Sequence, residues 1–148
     1  MRISNDNEFK AALDGLSEVG RRVVAARFAE NVLALSRDHR LKTAIDTAER
    51  ADATQDEIAA AFRSANAVSV ESYTQCGHDC NWNSQAVHFV AQAVLAGLKP
   101  AESGSNGAWD AAMHARMART CESIANGDGT GNGENAAQYR ILAEFLNR

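Results

Sequence analysis

The chain is poor in the residues that interrupt or staple a polypeptide. Among its 148 residues there is one proline, Pro100. Proline lacks the backbone N–H and clashes with the preceding turn, so its scarcity leaves helices free to run uninterrupted. There are three cysteines, an odd number, which excludes a complete disulfide framework. Aromatic residues make up 6% of the chain. No segment approaches the length of apolar sequence, about 18 residues or more, that spans a bilayer. The first ten residues are polar and lack the apolar stretch of a signal peptide, so the expected compartment is the cytoplasm. Basic charge is also short: 15 Lys and Arg stand against 19 Asp and Glu, for a formal net charge of -4. A general nucleic-acid binder needs a basic footprint that releases counterions, and this balance argues against one. The negative balance suits a basic protein partner instead.

What the chain has in quantity is alanine, with 29 residues. Alanine loses no side-chain entropy in a helix and is the strongest helix former. Mixed with Leu, Val, Ile and Phe, it implies close-packed helices. The length suits one domain and is enough to bury a core without metal or disulfide support. The expected architecture is all-α, a single-domain bundle of about seven helices.

Periodicity places those helices. Phe9, Leu13 and Leu16 give an apolar side to a first helix over 6–16, capped by Asn5 or Asp6. Val24, Phe28, Val32 and Leu35 predict a second over 17–36, with Arg21 and Arg22 meeting carboxylates such as Glu18 or Glu30. The stretch 37–40 reads as a turn, followed by a third helix over 41–51 that buries Leu41, Ala44, Ile45 and Ala48. Thr54 and Glu57 have capping-box spacing at the start of a fourth, which Ile58, Phe62, Ala65, Val68 and Tyr73 continue. Periodicity is lost over 74–83. A fifth helix is predicted from a Ser84 cap to Leu98, where Gly97 and Pro100 stop it. A sixth spans 108–125, with Trp109, Ala112, Met113, Met117 and Ile124 as its stripe. The last spans 134–146, with Tyr139, Leu142, Phe145 and Leu146 inward.

The break at 74–83 is the chemically distinctive segment. Cys76-Gly77-His78-Asp79-Cys80 sets two thiols and an imidazole within five residues. Zinc takes Cys and His in tetrahedral sites, and His88 on the next helix is the candidate fourth ligand. His114 and Cys121, seven residues apart on the sixth helix, are further candidates. The spacing is not that of a zinc finger, which has two separated ligand pairs. The competing reading is a polar loop with reduced thiols. A Cys80–His88 nucleophile pair lacks any recognisable oxyanion-donating turn, which argues against an enzyme. The Gly-rich stretch from Asp128 resembles the start of a calcium loop, but the twelfth position is Tyr139 rather than a bidentate Glu. Trp82 and Trp109 flank loops, where an indole caps a core or anchors a partner.

The stretch Arg22-Val-Val-Ala-Ala-Arg-Phe-Ala-Glu-Asn-Val-Leu-Ala-Leu resembles the opening helix of a bacterial family of small all-helical immunity proteins from polymorphic-toxin systems. Thr43-Ala-Ile-Asp-Thr-Ala-Glu-Arg is similar to the family's next helix, with its Ala-Ile-(Asp/Glu)-x-Ala pattern. Ala86-Val-His88-Phe-Val-Ala resembles a later Ala-rich, His-containing stretch, and Asn135-Ala-Ala-Gln-Tyr-Arg-Ile-Leu the closing helix. The similarity covers residues 20–146, with Thr74–Trp82, which holds the Cys-Gly-His-Asp-Cys stretch, as a departure from the pattern. It implies neutralisation of a toxin by direct binding and carries over no catalytic residue. The leading expectation is a non-enzymatic binding protein that contacts its partner through Glu71, Asp79 and Trp82. The alternatives are a metal-binding helical protein using Cys76, His78, Cys80 and His88, and a phage-encoded inhibitor of a bacterial defence system.

Overall fold

The computed structural model describes residues 2–76, 81–100, 104–127 and 133–147, with backbone only at 75 and 76. The described residues form an all-α bundle without strands. In chain order its helices are α1 (Asp6–Asp14), α2 (Glu18–Asn31), α3 (His39–Glu49), α4 (Gln55–Cys76), α5 (Trp82–Leu98), α6 (Gly107–Ala125) and α7 (Glu134–Leu146). A single 3-10 turn, Leu33–Leu35, follows α2. No helix among the described residues is long and apolar enough to cross a membrane.

Short polar side chains set most helix starts by accepting N–H groups that have no partner within the helix. Asn5 caps α1 through the Glu8 N–H at 2.9 Å, and Ser17 caps α2 through Gly20 at 3.0 Å. The box at α4 forms as its spacing predicts: Glu57 N–H donates to Thr54 Oγ1 at 3.1 Å, and Thr54 N–H to Glu57 Oε1 at 3.0 Å. Asp38 caps α3, so His39 and Arg40 open that helix instead of completing a turn. Asn81, not Ser84, caps α5, accepting the Ser84 N–H at 2.8 Å. The expected break over 74–83 is correspondingly narrower, because α4 runs on to Cys76 and α5 begins at Trp82.

Two apolar clusters fill the bundle. One gathers Leu41 and Ile45 of α3 with Val90, Val94 and Leu95 of α5 and Ala115 of α6. The other gathers Phe9 and Leu13 of α1 with Phe28 of α2, Ala112 of α6 and Leu142 of α7. Helix α5 is central, with eight buried residues from Ala86 to Leu98. Its neighbour α6 buries Ala108, Ala111, Ala112, Ala115, Ala118 and Cys121. This corrects the stripe expected for α6, since Met117 and Ile124 face outward. Small side chains let the two backbones approach closely, and the alanine face therefore goes inside.

Two glycines show how close that approach is. A Cβ on Gly107 would stand 2.6 Å from the carbonyl oxygen of Ala96, and one on Gly97 would stand 2.8 Å from the Ala25 Cβ. A backbone carbonyl cannot rotate away. Gly107→Ala is therefore expected to destabilise the fold by about 1–3 kcal/mol through overpacking, measured by urea unfolding.

Arginines tie the helices together. Arg21 donates to the Leu13 and Asp14 carbonyls, and Arg22 to those of Ala48 and Arg50. These backbone acceptors replace the Glu18 and Glu30 partners expected from helical spacing. Arg116 of α6 bridges Asp6 of α1 and Gln138 of α7, its guanidinium 5.6 Å from the centre of the Phe9 ring. The buried polar residues of α7 are Glu134 and Gln138, both held by arginines. No buried side-chain N or O among the described residues lacks a hydrogen-bond partner.

Candidate functional site

The helical path through α4, α5 and α6 lines up a row of rings that runs from the exposed Tyr73 into half-buried positions. Tyr73, in the last turns of α4, lies with its ring 5.8 Å from that of His88 on α5. His88 lies 6.1 Å from Phe89, and Phe89 stacks at 6.2 Å on His114 of α6. Trp82 opens α5 seven residues before Phe89, which places both on one stripe of that helix. Met117 follows His114 by three positions and shares its side of α6. Tyr73 is 71% exposed, Trp82 44% and Met117 47%. Val70, one turn before Tyr73, is also exposed. Soluble surfaces rarely gather large apolar side chains in this way without a binding role.

Rigid packing fixes the row from beneath. His88 Nδ1 lies 3.1 Å from Ser72 Oγ and 3.2 Å from the Ser69 carbonyl oxygen, and Gln92 donates to Ser69 Oγ at 2.6 Å. These contacts pin the imidazole between α4 and α5. Ser72 is buried and its hydroxyl donates to the Ser69 carbonyl, so it is an interhelical polar contact and not an accessible nucleophile. Burial holds His114 below its usual range, with Lys99 and His88 pushing the same way and Asp110 opposing.

Beside the row, Glu71 accepts Arg40 Nη1 at 3.2 Å and Nη2 at 2.6 Å, while Asp38 accepts the same guanidinium at 2.7 Å. The Arg40 guanidinium holds both carboxyls below their usual range. The cluster carries two negative charges and one positive, so its net charge is negative.

Of the residues anticipated as partner contacts, Glu71 and Trp82 are exposed at the same end of the α4–α5 hairpin. Asp79 lies outside the described residues. So do His78 and Cys80 from the anticipated zinc set, and the Cys76 side chain with them. The fourth member, His88, uses Nδ1 within the bundle. Cys121 on α6 is buried, and burial pushes its thiol up, away from the thiolate that a metal or electrophile requires. Among the described residues no three His, Cys, Asp or Glu side chains are grouped to hold an ion. Residues 128–132, which open like a calcium loop in sequence, also lie outside the described residues. Helical periodicity places Tyr73 and Met117 on buried faces, yet both are exposed, and Phe89 lies half-buried beneath them. The seven-residue interval from Trp82 to Phe89 was the available signal.

A second cleft, of about 460 Å³, sits between α2, α3 and α7 and contains Arg27, Glu30, Glu49 and Glu144. Burial, followed by the adjacent Glu30 carboxyl, pushes Glu49 up to about 7. Its proton is retained in the folded chain where the unfolded chain loses it near the ordinary 4.5. Stability from this group is present below the unfolded value and is lost as pH rises through about 7. Glu49→Gln is accordingly expected to raise Tm at pH 8 and to leave it nearly unchanged at pH 4.5. Thermal unfolding at the two pH values checks this.

No protein-family model matches this chain, and neither the curated proteins nor the solved structures include one similar to it.

Proposed function

We propose that this chain is a non-enzymatic helical binding protein that neutralises a protein toxin by direct binding, as the sequence resemblance implies. The observation that carries the reading is the exposure of Tyr73, Trp82 and Met117 around a half-buried row of rings, His88, Phe89 and His114. Aromatic residues and methionine are enriched at the cores of protein interfaces, and tryptophan and tyrosine dominate their binding energy. The rings stand on helices rather than loops, so little side-chain freedom remains to be lost on docking.

Charge supports the same reading. The net charge of -4 and the Asp38–Arg40–Glu71 cluster favour a basic partner surface, raising the encounter rate and selecting against acidic ones. Covering a toxin's basic cleft would inhibit it with no chemistry on this chain.

The test is neutralisation by co-expression. The chain is produced in a bacterium together with the product of each gene flanking its own, one of which is expected to arrest growth by itself. The expected result is restored growth and a 1:1 complex on sizing chromatography. Continued growth arrest, with the two proteins eluting separately, would contradict the proposal.

A further inference from the structure

A groove at the other end of α4 from Tyr73 has a different character. It is about 630 Å³ in volume and is bounded by the start of α2, the start of α4, the end of α5 and the start of α6. Val19, Ile58 and Phe62 supply apolar surface. Four cations line it, Arg21, Arg22, Arg63 and Lys99, against two acids, Glu18 and Asp110. The chain as a whole is acidic, so this excess of positive charge is local.

The cations are available to a ligand in two ways. Arg22 is held in place by two neutral acceptors, the Ala48 carbonyl at 3.1 Å and the Arg50 carbonyl at 2.5 Å. Its charge is oriented but not cancelled. The Arg63 and Lys99 side chains are exposed and make no hydrogen bond or ion pair among the described residues. The close contacts of Gly97 with α2 and of Gly107 with α5 keep the groove wall stiff. A volume of a few hundred cubic ångströms, apolar lining and a few convergent charged groups are the features of small-molecule sites.

We propose that this groove binds a small organic anion, an apolar ring or short chain bearing one acidic head group. The apolar body lies on Phe62 and Ile58, and the head group meets Arg63 and Lys99, with Arg22 adding a fixed positive field. Along α4 the groove is set off from the Tyr73 end of the protein-docking face by eleven positions, Phe62 to Tyr73, about 16 Å of helix.

The probe is 8-anilinonaphthalene-1-sulfonate, an apolar ring system with one anionic head, compared with its uncharged relative N-phenyl-1-naphthylamine. Fluorescence titration of the folded chain is expected to give saturable 1:1 binding of the sulfonate, at least tenfold tighter than the neutral compound. Arg63→Ala with Lys99→Ala is expected to weaken the sulfonate at least tenfold at unchanged Tm. Tyr73→Ala with Trp82→Ala is expected to leave it unchanged. Four results would each overturn the proposal: no saturable binding, equal affinity for the two probes, indifference to loss of the two cations, or loss of binding in the Tyr73/Trp82 variant.

Discussion

Replacing Arg119 by methionine is expected to lower the unfolding free energy by about 1–3 kcal/mol, because the half-buried guanidinium is the charged partner of the buried Glu134 carboxylate, which then keeps Asn31. Glu134 opens α7 and is only 3% exposed. Its carboxylate accepts Asn31 Nδ2 at 3.1 and 2.9 Å and Arg119 Nε at 3.2 Å. Arg119 in turn donates to the Asn31 carbonyl at 2.9 Å and to Glu122 at 3.0 Å. The network therefore joins the end of α2, the middle of α6 and the first residue of α7. Methionine fills similar volume, so lost packing contributes little and the buried charge decides the outcome. The positive end of the α7 dipole compensates only in part, by about 0.3–1 kcal/mol. Changing Glu134 to leucine as well removes the charge that needs the arginine, so the double variant is expected to recover much of the loss. Urea unfolding of the four proteins in this cycle measures the coupling. Amide exchange would show α7 opening first in the Arg119 variant. A loss below about 1 kcal/mol would mean that the pair behaves as an exposed one.

The largest expected effect on function is that of Tyr73→Ala combined with Trp82→Ala. Hot-spot aromatics cost about 2 kcal/mol or more each when truncated, and every 1.4 kcal/mol is tenfold in affinity. Together the two changes are expected to weaken partner binding by roughly a hundredfold to a thousandfold. Both side chains are substantially exposed, so the fold is expected to lose no more than about 0.5 kcal/mol. The contrast between a large loss in affinity and an unchanged Tm is what separates a docking face from core support. Glu71→Gln is the milder companion. It releases Arg40 from one exposed partner and alters the charge at the edge of the face, an effect on association rate more than on affinity.

The helices were legible because their boundaries are written in local chemistry. The Thr54–Glu57 box, the Asn5 cap and the apolar spacing of Phe9, Leu13, Leu41 and Ile45 act within a few residues of one another. What lay hidden depends on neighbours distant in sequence. On α6, methionine and isoleucine outrank alanine in hydrophobicity, yet α5 packs so closely that only the alanine face fits against it, leaving Met117 and Ile124 outside. On α7, Glu134 and Gln138 carry no apolar signal in the sequence, but arginines from α6 hold them inside. On α4, Tyr73 continues the apolar rhythm of Ile58 and Phe62, but the helix outruns the core and the ring emerges.

The candidate site shows the same division. Trp82 and Glu71 stood out by residue type and position beside the aperiodic segment. His88 stood out as a metal ligand, and its contacts with Ser72, Ser69, Tyr73 and Phe89 became visible only once α4 and α5 were paired. The cationic groove joins residues from four elements, with Arg22 and Lys99 far apart in the chain, and no local pattern announces it.

The central claim is that the aromatic face docks a protein partner. The most direct test is calorimetric titration of this chain with the protein it neutralises in the co-expression experiment, repeated at several temperatures. Docking through this face gives 1:1 binding with a negative heat-capacity change, because the exposed rings leave water. Tyr73→Ala with Trp82→Ala is expected to reduce both the affinity and that heat-capacity change. The same affinity and heat-capacity change in the wild-type chain and the double variant would contradict the claim.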